Sequence, residues 1–430
     1  MADPGELKAL SQLVIHLNQR DPLFIPFPEE QVRRTGKASC YQCGLDCIMR
    51  NTLRTASGKD YVRKCQAMFV YFPWVMGRSG ESAETAVAAT GICNDLSICT
   101  MEMYNIIQWL DTCYKAGYLS DKDTGLDISK LGTLEFFENL SSMVAYRQGF
   151  GDILAEGLLR AGEKLGEEAR THFSNEVSGV GDGATYSARE YLTNGLLYAL
   201  EPRQPIAMLH EISRLTGLWV MHQADPKSSP VSSDVFRAAA AKFWGNEQAW
   251  DLTTHEGKAQ AAVKIMDRTF VKDSLLLCDS GWPLMVSWNT PDHVGDPGLE
   301  SRIFTAVTGI ETDETRLNRY GERIFNLQRA ILLREGRQPP KDDCPEDFNF
   351  TDPVESVFMN PEVIIPGVGE EVISRKGKTL ERNVFETMRK EYYELRGWDS
   401  ESGLQKAETL ERIGLSEIAQ DLKNMDLIEA

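Results

Sequence analysis

The chain is short of positive charge. It carries 46 Lys and Arg against 64 Asp and Glu, so its 430 residues have a formal net charge of −18. Nonspecific binding to nucleic acid or to an anionic membrane needs a positive field, so neither is expected as a partner. An acidic surface mainly confers solubility, and leaves room for a local basic patch that serves an anionic ligand. Long apolar runs are missing too: no stretch approaches the ~20 residues of a membrane span. The opening residues, MADPGELKAL, lack the basic start and apolar run of an export signal. Strand signals are sparse. FIPF at 24–27 and VIIPG at 363–367 are too short and too Pro-flanked to build a large sheet. No supersecondary repeat is visible. Nine cysteines, an odd number, do not read as a secreted disulfide framework. The expectation is a soluble protein of a reducing compartment, the cytoplasm, with thiols buried or metal-bound.

What is present is helical periodicity. Asp3 suits an N-cap, Pro4 the first helical position and Glu6 a capping box. Leu7, Leu10, Val14 and Leu17 then follow on one face. Segment 82–117 reads as a helix interrupted near Cys93–Cys99. Further helices are expected over 256–277, through Leu317, Tyr320, Ile324, Leu327 and Ile331, over 379–395, and from near Leu415. Loop-like stretches occupy 224–233, 289–299 and 336–352. The expected fold class is mainly α, in two packed helical domains, 1–200 and 201–430, with the division falling somewhere in 180–230.

The densest chemistry lies in Ser39-Cys40-Tyr41-Gln42-Cys43-Gly44-Leu45-Asp46-Cys47. Three thiols at C-x2-C-x3-C spacing on a turn-rich segment can converge on one metal. Thiolates are soft ligands that favour iron–sulfur clusters or zinc. Structural zinc sites usually come as two close pairs, and Cys65 has no companion at such spacing. Three buried free cysteines are the bland reading, disfavoured by their clustering. A [4Fe–4S] cluster is preferred, and it needs a fourth ligand from elsewhere in the chain.

At this point the chain resembles the tungsten- and molybdenum-pterin aldehyde:ferredoxin oxidoreductase family, over nearly its whole length. That family pairs C-x2-C-x3-C with a distant cysteine in a D-x-x-G-L-C element. Asp273-Ser274-Leu275-Leu276-Leu277-Cys278 looks like this element, which implies that Cys278 completes the cluster with Cys40, Cys43 and Cys47. The companion D-x-x-G-L-D element falls on Asn94-Asp95-Leu96-Ser97-Ile98-Cys99. In the family the two elements clamp the pterin, so Asn94, Asp95, Cys99 and Asp273 are implied cofactor-binding residues. Asp or Asn at a turn can hydrogen-bond the amino and ring nitrogens of a pterin. For Asp95 and Asp273 the plain alternative is helix capping. Gly151–Gly157 (GDILAEG), Asn326–Ala330 (NLQRA) and Glu391–Asp399 (EYYELRGWD) are also typical family segments.

The departures carry expectations of their own. The glycine of both elements is replaced, by Ser97 and by Leu276, so these loops are expected to differ from the family's. Aldehyde-oxidising members place a glutamate downstream of the third cluster cysteine. Here that neighbourhood reads Lys64-Cys65-Gln66-Ala67-Met68-Phe69, without a carboxylate, and is followed by Tyr71, Phe72 and Trp74. Gln cannot serve as a general base. This resembles the branch that includes the tungsten subunit of aromatic acyl-CoA reductases. A family histidine follows an acid-Pro-Arg element, here Glu201-Pro202-Arg203, and implicates His222, with His210 as runner-up. Relatives also carry an N-terminal, largely β domain. This chain begins with Met where the second region normally starts, which implies a split subunit, a fragment or a truncated frame.

The resemblance therefore implies an iron–sulfur and tungsten- or molybdenum-bis-pterin oxidoreductase. It would oxidise aldehydes and pass electrons to ferredoxin or a partner subunit, with His222 and Cys65 as candidate catalytic residues. The alternatives are reduction of aromatic or other acyl-CoA substrates, and a non-catalytic iron–sulfur electron-transfer subunit. A separate pterin-binding N-terminal domain is an expected partner; homo-oligomerisation stays open.

Overall fold

The computed structural model describes residues 32–37, 50–55, 58–64, 71–75, 83–171, 177–178, 181–182, 186–202, 205–277, 285–357 and 360–429. These separate into two compact units, one within residues 12–183 and one within 184–430. Both are mainly helical. The expected helix at 3–17 and the FIPF segment lie outside the described residues.

The first unit opens with a three-stranded antiparallel sheet of β1 (Val32–Lys37), β2 (Arg50–Thr55) and β3 (Asp60–Lys64), in that order. The sequence reading did not expect it, because VRRTGK, RNTLRT and DYVRK lack an apolar alternation. Local chemistry makes the turn instead. Gly58, at φ 86, donates to the Thr55 carbonyl, and Arg54 grips Asp60 through two bonds of 2.7 Å. Register pairs Lys37 with Asn51, so both ends of the cysteine-bearing connection 38–49 are pinned to paired strands.

Helices α1 (Ala83–Asp95) and α2 (Thr100–Ala116) follow, separated by the expected interruption. Then come α3 (Leu134–Ala145), capped by Thr133 accepting from the Phe136 amide, and α4 (Leu158–Leu165). Val87, Ile106, Ile107, Trp109, Leu110, Phe136 and Leu140 form the core. The GDILAEG segment has a packing role. A Cβ on Gly151 would meet the Met143 carbonyl oxygen at 2.2 Å, so only glycine fits there. Arg147 clasps Asp152 and Glu156, each at 2.8 Å.

The second unit holds α5 (Leu192–Leu200), α6 (Ile206–Ala224), α7 (Ser233–Trp244), α8 (Lys258–Ser274), α9 (Leu299–Thr308), α10 (Glu314–Arg334) and α11 (Arg382–Leu395). VIIPG contributes only to a small hairpin, Ile364–Pro366 against Val372–Ser374. Helix α8 is central, with Ala261, Ala262, Ile265, Met266 and Phe270 buried among α5, α6, α7 and α11. It crosses α10 so closely that a Cβ on Gly321 would lie 2.0 Å from the Asp267 carbonyl oxygen.

The NLQRA and EYYELRGWD segments make one buried polar core. Arg329 is bidentate to Asp343 at 2.8 and 2.6 Å, and the Tyr393 hydroxyl donates to the same carboxylate at 2.5 Å. Arg396 bonds Asp267 at 2.5 Å and the Tyr392 hydroxyl at 2.8 Å. The Trp398 indole N–H donates to Asn326 at 2.9 Å, under the guanidinium of Arg329. Buried charges persist only when paired and hydrogen-bonded, and each of these is.

Glu190 is a buried acid of a different kind. Asn360 Nδ2 donates to one of its oxygens at 2.7 Å, and burial pushes its pKa up from 4.5 to about 8. The folded protein then holds a proton between roughly pH 4.5 and 8 that the unfolded chain has released. Stability is therefore expected to fall as pH rises through that window. Urea midpoints at pH 5 and pH 8 check this: Glu190→Gln is expected to flatten the decline.

Candidate cofactor-binding turns

The two D-x-x-G-L-like elements adopt the same structure at the ends of two helices. At the end of α1, the Ser97 amide donates to the Asn94 carbonyl at 3.2 Å and the Ile98 amide to the Cys93 carbonyl at 2.8 Å. At the end of α8, the Leu276 amide donates to the Asp273 carbonyl at 3.2 Å and the Leu277 amide to the Lys272 carbonyl at 2.9 Å. Both are Schellman caps, in which a residue in the left-handed region closes the last carbonyls. That residue is Ser97 in one, at φ 57, and Leu276 in the other, at φ 56. The backbone that glycine favours is thus carried here by two non-glycine residues, which it strains.

Both turns carry local costs. A non-glycine residue in the left-handed region costs roughly 1–2 kcal/mol. Asp95 ends α1 and Asp273 lies in the last turn of α8, where a carboxylate opposes the helix dipole by about 0.3–1 kcal/mol. Neither acid is an N-cap of its own helix, so that alternative is removed; the N-cap position of α2 belongs to Cys99, which makes no side-chain cap bond. Asn94, Asp95, Cys99 and Asp273 are all exposed. Each turn thus combines a strained backbone position with an exposed acid at a helix end. Glycine at either turn is accordingly expected to raise stability by about 1 kcal/mol. Leu276 is 90% exposed, so Leu276→Gly gives up little burial; chemical unfolding of Ser97→Gly and Leu276→Gly measures both.

Each turn rests on buried chemistry. Behind Asn94, the Tyr71 hydroxyl and the Cys93 thiol share a hydrogen bond of 2.9 Å, and burial pushes the Cys93 thiol up. Cys93 is thus held as a neutral thiol while Cys99 faces outward. Beside Asp273 sits a four-charge cluster that the sequence reading missed. Lys272 Nζ bonds Glu211 at 2.8 Å; Arg268 bonds Glu300 through Nε at 2.7 Å and reaches Glu211 at 3.4 Å. All four are buried. The signal was available in principle: Arg268 and Lys272 stand four residues apart on the otherwise apolar face of α8.

Helix α6 carries Glu211 and both histidines. His210 is buried, with Nε2 bonded to the Tyr186 hydroxyl at 2.8 Å and its ring edge-on to Tyr186. His222 lies eleven residues past Glu211, about 16 Å along the axis. Its Nδ1 is 2.8 Å from the Ser229 carbonyl. A carbonyl only accepts, so Nδ1 carries the proton and Nε2 is left as an acceptor. Glu201 of the acid-Pro-Arg element is buried and accepts from Gln328 at 3.1 Å. Cys40, Cys43, Cys47, Cys65 and Cys278 lie outside the described residues.

The family model for aldehyde ferredoxin oxidoreductase, domains 2 and 3, matches residues 27–415. The chain belongs to this family. It is 24% identical over 384 residues to the tungsten-containing aldehyde ferredoxin oxidoreductase of Pyrococcus furiosus, covering 88% of this chain and 52% of that protein. With the WOR-like subunit of aliphatic sulfonate oxidoreductase from the same organism it shares 25% identity over 351 residues, covering 80% and 44%. Among solved structures it is similar to the active-site complex BamBC of benzoyl coenzyme A reductase with 1,5-dienoyl-CoA. The TM-score there is 0.62 at 17% identity, over 92% of this chain and 55% of that one. The chain thus spans about half the length of the curated relatives it matches, and its fold is that of the family's helical domains. Among the described residues no helix is long and apolar enough to cross a membrane.

The donor sets of the two turns fit a pterin. Asn94 offers an amide that both donates and accepts; Asp95 and Asp273 offer acceptors for ring and amino N–H groups. All three are exposed at hydrogen-bonded turns.

Proposed function

We propose that this chain is the cluster- and pterin-binding part of a tungsten- or molybdenum-dependent oxidoreductase that oxidises aldehydes to carboxylates. The observation that carries the reading is the pair of like, strained turns presenting Asn94, Asp95 and Asp273. When bound, the metal–pterin group supplies two-electron exchange with the substrate. The chain's own part is to hold that group through the two turns, and to bind a [4Fe–4S] cluster through Cys40, Cys43, Cys47 and Cys278. Electrons would leave singly to ferredoxin or a partner subunit. His222, its tautomer set by Ser229, is proposed to donate or accept a proton at Nε2, with His210 as the alternative; Cys65 is proposed to face the substrate.

A second reading, reduction of aromatic or other acyl-CoA thioesters, is favoured by one feature. The segment 64–69 has no carboxylate to activate water, and aromatic residues follow it. Anaerobically produced protein, co-expressed with any N-terminal pterin-binding partner encoded beside it, separates the readings. Metal content comes first, then turnover of simple aldehydes against acyl-CoA thioesters. Aldehyde oxidation is the expected result; turnover of thioesters alone overturns it in favour of the second reading. Iron without tungsten or molybdenum leaves an electron-transfer subunit instead.

A further inference from the structure

Helix α10 begins with a concentration of positive charge that the fold uses only in part. Arg316, Arg319, Tyr320 and Arg323 stand at i, i+3, i+4 and i+7, which places them on one helical face. With Arg412 and Ile413 they line a cavity of about 370 Å³, within the range of small-ligand sites. Among the described residues no acidic side chain lines it. Arg412 is held by Glu322 at 2.7 Å, and Arg316 Nη1 donates to the Glu311 carbonyl at 2.9 Å. Arg319 and Arg323 are exposed and, among the described residues, have no carboxylate partner.

In a chain of net charge −18, four guanidinium groups gather around one hollow and repel one another, with only Arg412 and Arg316 tied by the bonds just given. A solvated helix face is normally laced with carboxylates at these spacings. Arg329 and Arg396 of this unit are paired with aspartates. Among the described residues, Arg319 and Arg323 of the hollow are not.

We propose that this hollow binds the phosphate groups of a nucleotide-type ligand. A guanidinium presents a planar fork that matches phosphate oxygens, and several forks around one cavity suit a diphosphate better than a single carboxylate. Tyr320 stands among the arginines, half-exposed and backed by Phe304 with ring centroids 6.4 Å apart, so it offers a flat apolar surface to the ligand's base. The hollow is separate from the Asp273 turn. Helices α8 and α10 run side by side in the same direction, with Lys264 near Glu314 and Phe270 near Phe325. The arginines therefore lie alongside the part of α8 that precedes the turn.

The test is calorimetric titration of the full chain with inorganic pyrophosphate, ADP and coenzyme A, which needs no cofactor and no turnover. Saturable one-to-one binding of at least one probe is expected. Arg319→Glu/Arg323→Glu should weaken it by about tenfold or more, since charged hydrogen bonds are each worth about 1.5–3 kcal/mol. Arg334→Glu, an exposed position at the far end of the same helix, should change it by less than about twofold, as unspecific charge would not. Pyrophosphate binding as tightly as ADP assigns recognition to phosphate alone. Tighter ADP or coenzyme A binding, lost in Tyr320→Ala, assigns part of it to the ring. Absence of saturable binding, or equal weakening by Arg334→Glu, overturns the proposal without touching the redox reading.

Discussion

Lys272→Met is expected to cost about 3–5 kcal/mol of stability, the largest effect of any single side chain beside the candidate turns. Lys272 and Arg268 face Glu211 and Glu300 in a buried cluster of zero net charge. Removing one cation leaves a buried carboxylate short of its best partner, because Arg268 reaches Glu211 only at 3.4 Å. The cost belongs to the stranded charge, not to the worth of the pair. Glu211→Leu combined with Lys272→Met should therefore recover most of the loss, since a packed apolar pair often equals a buried ion pair. Urea unfolding of the two single variants and the double variant gives the coupling directly. Additive losses would show that the cluster is solvated and does not hold the helices together.

The position of this cluster gives it a second consequence. Lys272 supplies the carbonyl that accepts from Leu277, and the next residue begins the Asp273 turn. The ion pair with Glu211 thus ties the turn's base to α6. An unpaired Glu211 would loosen the helix end on which both the left-handed Leu276 and the carboxylate of Asp273 depend. Strained turns persist only where their surroundings over-determine them. The cluster does that for the α8 turn; buried Cys93, bonded to Tyr71, does it for the α1 turn.

Much of this was legible in the sequence, and the failures have physical causes. The break between α1 and α2 at Cys93–Cys99 could be read because helical periodicity stops there and resumes. The long helices α8, α10 and α11 could be read from their apolar stripes. The sheet of β1 to β3 could not: its strands are mostly polar, with Tyr61 buried in the core, and pairing is supported by a glycine turn and one Arg–Asp grip. At the site, the family resemblance located both turns; that Ser97 and Leu276 take the left-handed backbone could not be read, because non-glycine residues seldom adopt it. The buried ion cluster escaped notice because charges on an apolar face look like surface until their partners, 57 and 61 residues away in sequence, are placed.

Cys278→Ala is expected to abolish the optical and EPR signals of the proposed iron–sulfur cluster. Three of the proposed thiolates lie in the connection between β1 and β2, whose ends are fixed by the pairing of Lys37 with Asn51. Three ligands leave one iron of a [4Fe–4S] cluster without a cysteine, and the chain offers few candidates for the fourth. Cys93 and Cys113 are buried, and burial pushes both thiols up, the latter to about 12, which disfavours the thiolate a cluster needs. Cys344 is also pushed up by burial, with Arg382 acting the other way. Cys278 differs in following a turn whose backbone is set through Leu277. Anaerobically reconstituted wild type, Cys278→Ala and Cys344→Ala should therefore divide two against one, with only the Cys278 variant losing cluster iron. A Cys278→Ala protein with its full complement of iron would sink the assignment and return the fourth ligand to Cys65 or Cys99. A loss shared by the Cys344 variant would point to instability of the chain rather than to ligation.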